Sequence, residues 1–142
     1  MPGGGTYENF EHTADLGLHI YGRDMRELLE TACRALCAQL TDPDSVRGSE
    51  TVELVLHAER EDELLRIWLA ELLFLFNDRR WLAHSAQVVF LENCSLRAEV
   101  RGEVFEPGHH EIVSELKAVT WHRLAVERLD DGRLRGTVVF DI

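Results

Sequence analysis

The sequence predicts an α+β fold, a single domain with two helices packed on a mixed, largely antiparallel β-sheet. Three observations carry this. Short segments alternate apolar and polar residues, two longer segments repeat apolar residues every three or four positions, and the order runs β-α-β-α before a closing series of strands. At 142 residues the chain has the length of one domain.

Residues 1–6, with Gly3-Gly4-Gly5, read as a disordered N-terminal tail, and residues 7–142 as the folded domain. Segments 7–13 and 16–22 are β-rich: Leu16, Leu18 and Ile20 alternate with Gly17, His19 and Tyr21. Asp24 opens a helix, with Glu27 three residues on in a capping-box arrangement. Met25, Leu28, Leu29, Ala32, Leu36 and Leu40 give that helix one apolar face, and Asp42-Pro43-Asp44 ends it. Thr51–His57 alternates as a strand. A second helix has Glu61, Asp62 and Glu63 at its start and Arg79-Arg80 at its end, each matching the helix dipole. Its middle is apolar nearly all round, the composition of a central helix. Ser85–Leu91 and Ser95–Phe105 read as a hairpin, and Leu116–Arg128 with Arg133–Ile142 as the last strand pair.

Composition narrows the function. Fifteen basic against 26 acidic residues leave a net charge of −11. A phosphate backbone would be repelled, so direct nucleic-acid binding is not expected, and a basic partner or a cation is. No apolar run reaches the roughly 18 residues of a bilayer span, and the N-terminus has no signal-peptide pattern. The three cysteines suggest no disulfide framework, which places the protein in a reducing cytoplasm. Cys33 and Cys37 fall among apolar positions, as small buried thiols rather than zinc ligands. His109-His110 lies in a polar loop and reads as solvated. No G-x-S-x-G, Walker or H-E-x-x-H motif is present.

Asp131-Gly132 is a hairpin signal. If these two residues form the loop, Asp141 faces His122 and Ile142 faces Trp121. The opposed His122 and Asp141 then form either a surface ion pair or a pair sharing a proton or a metal; a longer loop would slip the register and dissolve the pairing. Two further features stand out. Asp141 and the terminal Ile142 put acidic oxygens late in an apolar strand, and Lys117 is the sole lysine beside fourteen arginines. The segment His12-Thr13-Ala14-Asp15-Leu16-Gly17 adds a third carboxylate between two β pieces, readable also as an Asx turn.

In order along the chain, His12-Thr13-Ala14-Asp15 with Gly17, Leu64-Leu65 with Trp68-Leu69-Ala70-Glu71-Leu72-Leu73, Glu115 to Leu124, and Phe140-Asp141-Ile142 resemble the archease family. The resemblance runs from about Tyr7 to the C-terminus. Two positions depart from the family pattern: Trp121 stands where tyrosine is usual, and Ala70 where asparagine is common.

The resemblance implies an accessory protein, not itself an enzyme, for the RtcB-type RNA-splicing ligase. That ligase joins RNA ends in tRNA splicing and RNA repair, and archeases promote its guanylylation and its multiple turnover. The family's cation site, described as calcium-type, maps onto Asp15, Asp141 and Ile142, the last through main-chain oxygens. Magnesium or manganese are the alternatives, and oxygen donors suit all of these hard cations. His12, Lys117 and His122 are the supporting or partner-contacting candidates. Two other classes stay open: a metal-dependent phosphohydrolase using Asp15 and Asp141 with His122 as base, and a chaperone-like binding module.

Overall fold

A computed structural model describes residues 4–12 and 15–142, with the side chains of Glu11 and His12 outside the described set. The elements follow in order: β1 (Tyr7–His12), β2 (Asp15–Gly22), α1 (Met25–Leu40), a 3-10 turn (Pro43–Ser45), β3 (Glu50–His57), α2 (Glu61–Arg79), β4 (Trp81–Glu92), β5 (Ser95–Val104), β6 (Ala118–Val119), β7 (Ala125–Arg128) and β8 (Leu134–Asp141). The α+β class holds. The strands divide into two sheets, and every pair between them is antiparallel. One sheet has the order β1-β2-β8-β6, with β7 also on β8, and the other has the order β3-β5-β4.

Helix α1 starts where the sequence places it. The Asp24 side chain accepts the Glu27 N–H at 2.9 Å, and the Glu27 carboxylate reaches back to the Arg23 N–H at 2.8 Å. This is a capping box shifted by one residue. Twelve of the 16 residues of α1 are buried, against eight of 19 in α2, so α1 is the central helix. Its small residues Ala32, Cys33, Ala35 and Cys37 allow that close approach. It packs on β2 and β8 of one sheet and on β4 of the other. Arg26 and Glu30, one turn apart on α1, clasp the edge of β4: Arg26 donates to the Val88 carbonyl and the Val88 N–H donates to Glu30 at 2.9 Å. The clasp satisfies a sheet edge that would otherwise offer unpaired backbone groups. Trp68, fully buried on α2, donates its indole N–H to the Leu29 carbonyl of α1 at 2.8 Å. Burial pushes the Cys37 thiol up to about 12, and Cys33 higher still, and both pack as small buried side chains.

Several expectations change. Gly4 to Thr6 fall within the expected tail, and Gly4 N–H donates to Glu27 at 2.9 Å while Tyr21 N–H donates to the Thr6 carbonyl at 2.7 Å. Strand β4 begins at Trp81, straight after α2 ends in a left-handed Arg80. The β4–β5 hairpin turns on Asn93 and Cys94, both at positive φ, a type I′ turn. Leu116–Arg128 is broken into β6 and β7 by a turn at 121–123, where Arg123 has φ 57°.

The last hairpin is the main correction. Its loop has three residues, Asp130, Asp131 and Gly132, with Gly132 N–H bonded to the Leu129 carbonyl and Leu129 N–H to the Arg133 carbonyl. Gly132 takes φ +91°, the bulge position of such loops. Thr137 therefore faces Ala125, and the register differs by one from the two-residue expectation.

Candidate functional site

Asp15 is the first residue of β2 and Asp141 the last of β8, and the two are register partners. The row continues outward on both sides: His12 of β1 faces Asp15, and Ala118 of β6 faces Asp141. Opposed residues in an antiparallel pair have Cβ atoms about 5 Å apart and share a face. Leu16, Phe140 and Val119, one residue along, pack on the core. Asp15, Asp141 and Ala118 therefore project to the outer face. Asp15 is partly buried and Asp141 exposed.

The neighbouring row explains a glycine. Phe10 faces Gly17, and a Cβ on Gly17 would clash with the Phe10 ring. Phe10 also stacks on His19, centroids 4.7 Å apart, and the Arg123 guanidinium lies 4.7 Å from the Phe10 centroid. His19 meets Thr137 Oγ1 at 3.0 Å. Burial holds its imidazole below the usual range, and the nearby Arg135 and Arg123 charges act the same way, against Glu8 and Glu127. An aromatic and cationic stack thus borders the acidic row. The sequence signal for it was Gly17 itself, a strand residue with no side chain to pack.

The other candidates separate. Asp141 pairs with Ala118, so the expected His122–Asp141 facing is replaced; His122 sits exposed in the 121–123 turn. The register of the loop and the turn inserted after Thr120 both cause this. Trp121 does not face Ile142; it is 58% exposed and stacks on Arg66, whose Cζ is 3.9 Å from the ring centroid. Lys117 has an exposed side chain, and its backbone N–H donates to the Asp141 carbonyl at 2.8 Å. Ile142 follows β8 and is 51% exposed. Thr13 and Ala14 lie outside the described residues, as does the His12 side chain.

A second cluster was not foreseen. Ligand atoms of Glu103, His109 and His110 lie within 4.8 Å of one another, a spacing that could hold a metal. His110 is buried, against the expectation that both histidines are solvated. Its Nε2 donates to Glu103 at 2.8 Å while its Nδ1 accepts the Glu106 N–H at 2.9 Å. An imidazole that offers a metal its Nε2 lone pair carries its proton on Nδ1, where it would meet the Glu106 N–H. The cluster therefore works as a hydrogen-bonded clasp. Burial pushes the Glu103 carboxyl up, but the Arg47 N–H, the His110 imidazole and the Arg47 guanidinium outweigh it and hold it below the usual range.

The sequence matches the Archease protein family (MTH1598/TM1083) over residues 7–142, the span that contains both acidic strand ends. The chain belongs to the archease family. Protein archease of Pyrococcus furiosus is 34% identical over 140 residues, covering 96% of this chain and 98% of that one. Protein archease of Methanopyrus kandleri is 35% identical over 139 residues, covering 96% and 99%. The archease of Methanosarcina acetivorans is 35% identical over 147 residues and covers both chains in full. The solution structure of Methanobacterium thermoautotrophicum protein 1598 superimposes with a TM-score of 0.79 at 30% identity, over 100% of each chain. Family membership thus rests on the whole domain and not on the end motifs alone. Among the described residues, no helix is long and apolar enough to cross a membrane.

Proposed function

We propose that this archease-family protein activates an RtcB-type RNA-splicing ligase in the cytoplasm, promoting guanylylation of the ligase and its repeated turnover, through a cation held at Asp15 and Asp141. One observation carries the reading: two carboxylates from separate strands oppose each other at the open end of a sheet. Nothing in sheet packing asks for that, because like charges directly opposite destabilise a strand pair. The donor chemistry fits a hard divalent cation, calcium first, with the Ile142 main-chain oxygens beside the two carboxylates. Three oxygen residues underfill such a shell, so partner groups and water complete it, and the exposure of Asp141 leaves room for them.

A divalent cation held there by Asp15 and Asp141 would supply positive charge to phosphate oxygens. Asp15 and Asp141 orient that charge. Lys117, just before β6 and bonded through its N–H to the Asp141 carbonyl, is placed to contact the ligase or its phosphates. The net charge of −11 favours a protein partner over RNA. The phosphohydrolase alternative uses Asp15 and Asp141 with His122 as base, and it is less favoured because Asp141 pairs with Ala118 while His122 sits in the 121–123 turn.

The test is transfer of labelled GMP from GTP to the cognate ligase without RNA, with and without catalytic amounts of this protein. Faster transfer over many turnovers is expected, and Asp141→Asn should abolish the gain. Stimulation only when RNA is present would move the role to RNA handling, and none under any condition would overturn the reading.

A further inference from the structure

Strand β6 has two residues, Ala118 and Val119. A strand that short does not fix its own position, so contacts flanking it must. Downstream, Thr120 N–H and Oγ1 both donate to the Val139 carbonyl, each at 2.9 Å. Upstream, residues 111–117 belong to no strand or helix. There the Asn77 side-chain amide, on the last turns of α2, donates to the Leu116 carbonyl at 3.0 Å. The next residue, Lys117, donates its N–H to the Asp141 carbonyl at 2.8 Å. Leu116 is buried, and Asn77 supplies the side-chain donor to its carbonyl, so without Asn77 that carbonyl loses the tie to α2.

We infer that Asn77 is a positioning residue of the Asp15–Asp141 site, holding β6 against the end of β8 through Leu116 and Lys117. Asp141 is the last residue of β8 and has two strand neighbours, Asp15 on one side and Ala118 on the other. Asn77 fixes the second neighbour from a different element. The side chain of Asn77 is exposed on its helix, while Leu72, Leu73, Leu75 and Phe76 around it carry the packing. Its removal leaves no cavity in the core. Its consequence for an ion rests on the function proposed above; its mechanical role does not.

The test uses Asn77→Ala and Asn77→Asp in the full chain. Aspartate keeps the shape but, ionised, cannot donate, so a packing role would survive in Asn77→Asp and a donor role would not. Amide hydrogen exchange at Lys117 should rise at least tenfold in both variants, with core amides such as Val138 unchanged. Lanthanide or calcium affinity should fall several-fold, and Asn77→Gln should restore part of both. Unaltered Lys117 exchange in both variants overturns the inference, and so does a change confined to Asn77→Ala. A wild-type protein that binds no ion while the variants still release Lys117 overturns the proposed ion site and leaves the positioning role of Asn77 in place.

Discussion

His110 donates its Nε2 proton to Glu103 across 2.8 Å while its other nitrogen accepts a main-chain N–H. The pair closes the segment after β5 back onto the strand it left. Arg47 adds its N–H to the same carboxylate at 2.9 Å, and His109 reaches the Ser45 carbonyl at 2.8 Å. Three chain segments, 45–47, the end of β5 and 106–110, therefore meet around one carboxylate and its imidazole partner.

Stability should fall on acidification because of this carboxylate. Glu103 and Glu27 are both held below the ordinary value of 4.5 by donors that outweigh their burial. A depressed carboxyl contributes stability above its unfolded pKa and loses it as pH falls through the folded one. The melting temperature of the wild type should therefore drop below about pH 4.5. Glu103→Gln should cost about 3 kcal/mol at neutral pH, since it breaks a buried charged contact, and should flatten the acid side of the curve. A variant with the wild-type acid slope would remove Glu103 from the cause.

Trp68 ties the helices together through a fully buried indole and its bond to the Leu29 carbonyl. Trp68→Phe loses that bond and part of the packed volume, about 2 kcal/mol together. Thermal unfolding should show a melting temperature about 6–10 °C lower. A loss under 2 °C would mean that the two helices are held by other contacts.

Helix α1, both hairpins and the fold class were legible because local rules decide them. Asp24 and Glu27 announce a cap, and apolar residues at three and four spacing announce a face. Loop length was not decided locally: Asp131-Gly132 suits two-residue and three-residue loops alike, and the extra residue shifted His122 away from Asp141. Glu103 was hidden for another reason. The alternation in β5 puts Ala98, Val100 and Gly102 inside, which leaves Glu103 outside until the following segment folds over it. Burial of that kind depends on contacts distant in sequence, and no periodicity records it. Asp15 and Asp141 were singled out as chemistry; that they are register partners is tertiary information.

Gly17 and Phe10 should show coupled effects. Gly17→Ala drives a methyl into the Phe10 ring, and the ring, being the end of a side chain, swings off the face it shares with Arg123. The β1–β2 pair next to Asp15 should loosen, with a stability loss of about 1–3 kcal/mol. Phe10→Ala removes the obstacle. The double variant should then be more stable than the sum of the single losses by about 1 kcal/mol, measured in a denaturant cycle. Strict additivity would mean that the two residues do not touch in solution.

The acidic pair itself gives the sharpest expectation, because the register distinguishes it from the neighbours that sequence alone would group with it. Asp15 and Asp141 oppose each other across β2 and β8, whereas His122 lies in a turn beyond the strand that pairs with Asp141. An ion held by the pair depends on both carboxylates and not on the imidazole. Asp15→Asn and Asp141→Asn should each lower calcium affinity by at least tenfold in calorimetry, since each removes one of two anionic donors to a hard cation. His122→Ala should change it less than twofold. The same substitutions should act oppositely on the ion-free protein. Replacing one of two directly opposed like charges relieves repulsion worth about 0.2–1 kcal/mol, so both Asn variants should melt slightly higher in chelator and gain less on adding calcium. The combination of higher intrinsic stability and weaker ion response is the signature of a pair kept for binding. Asn variants that lose stability in chelator and keep their calcium response would assign the two aspartates to holding the sheet end together.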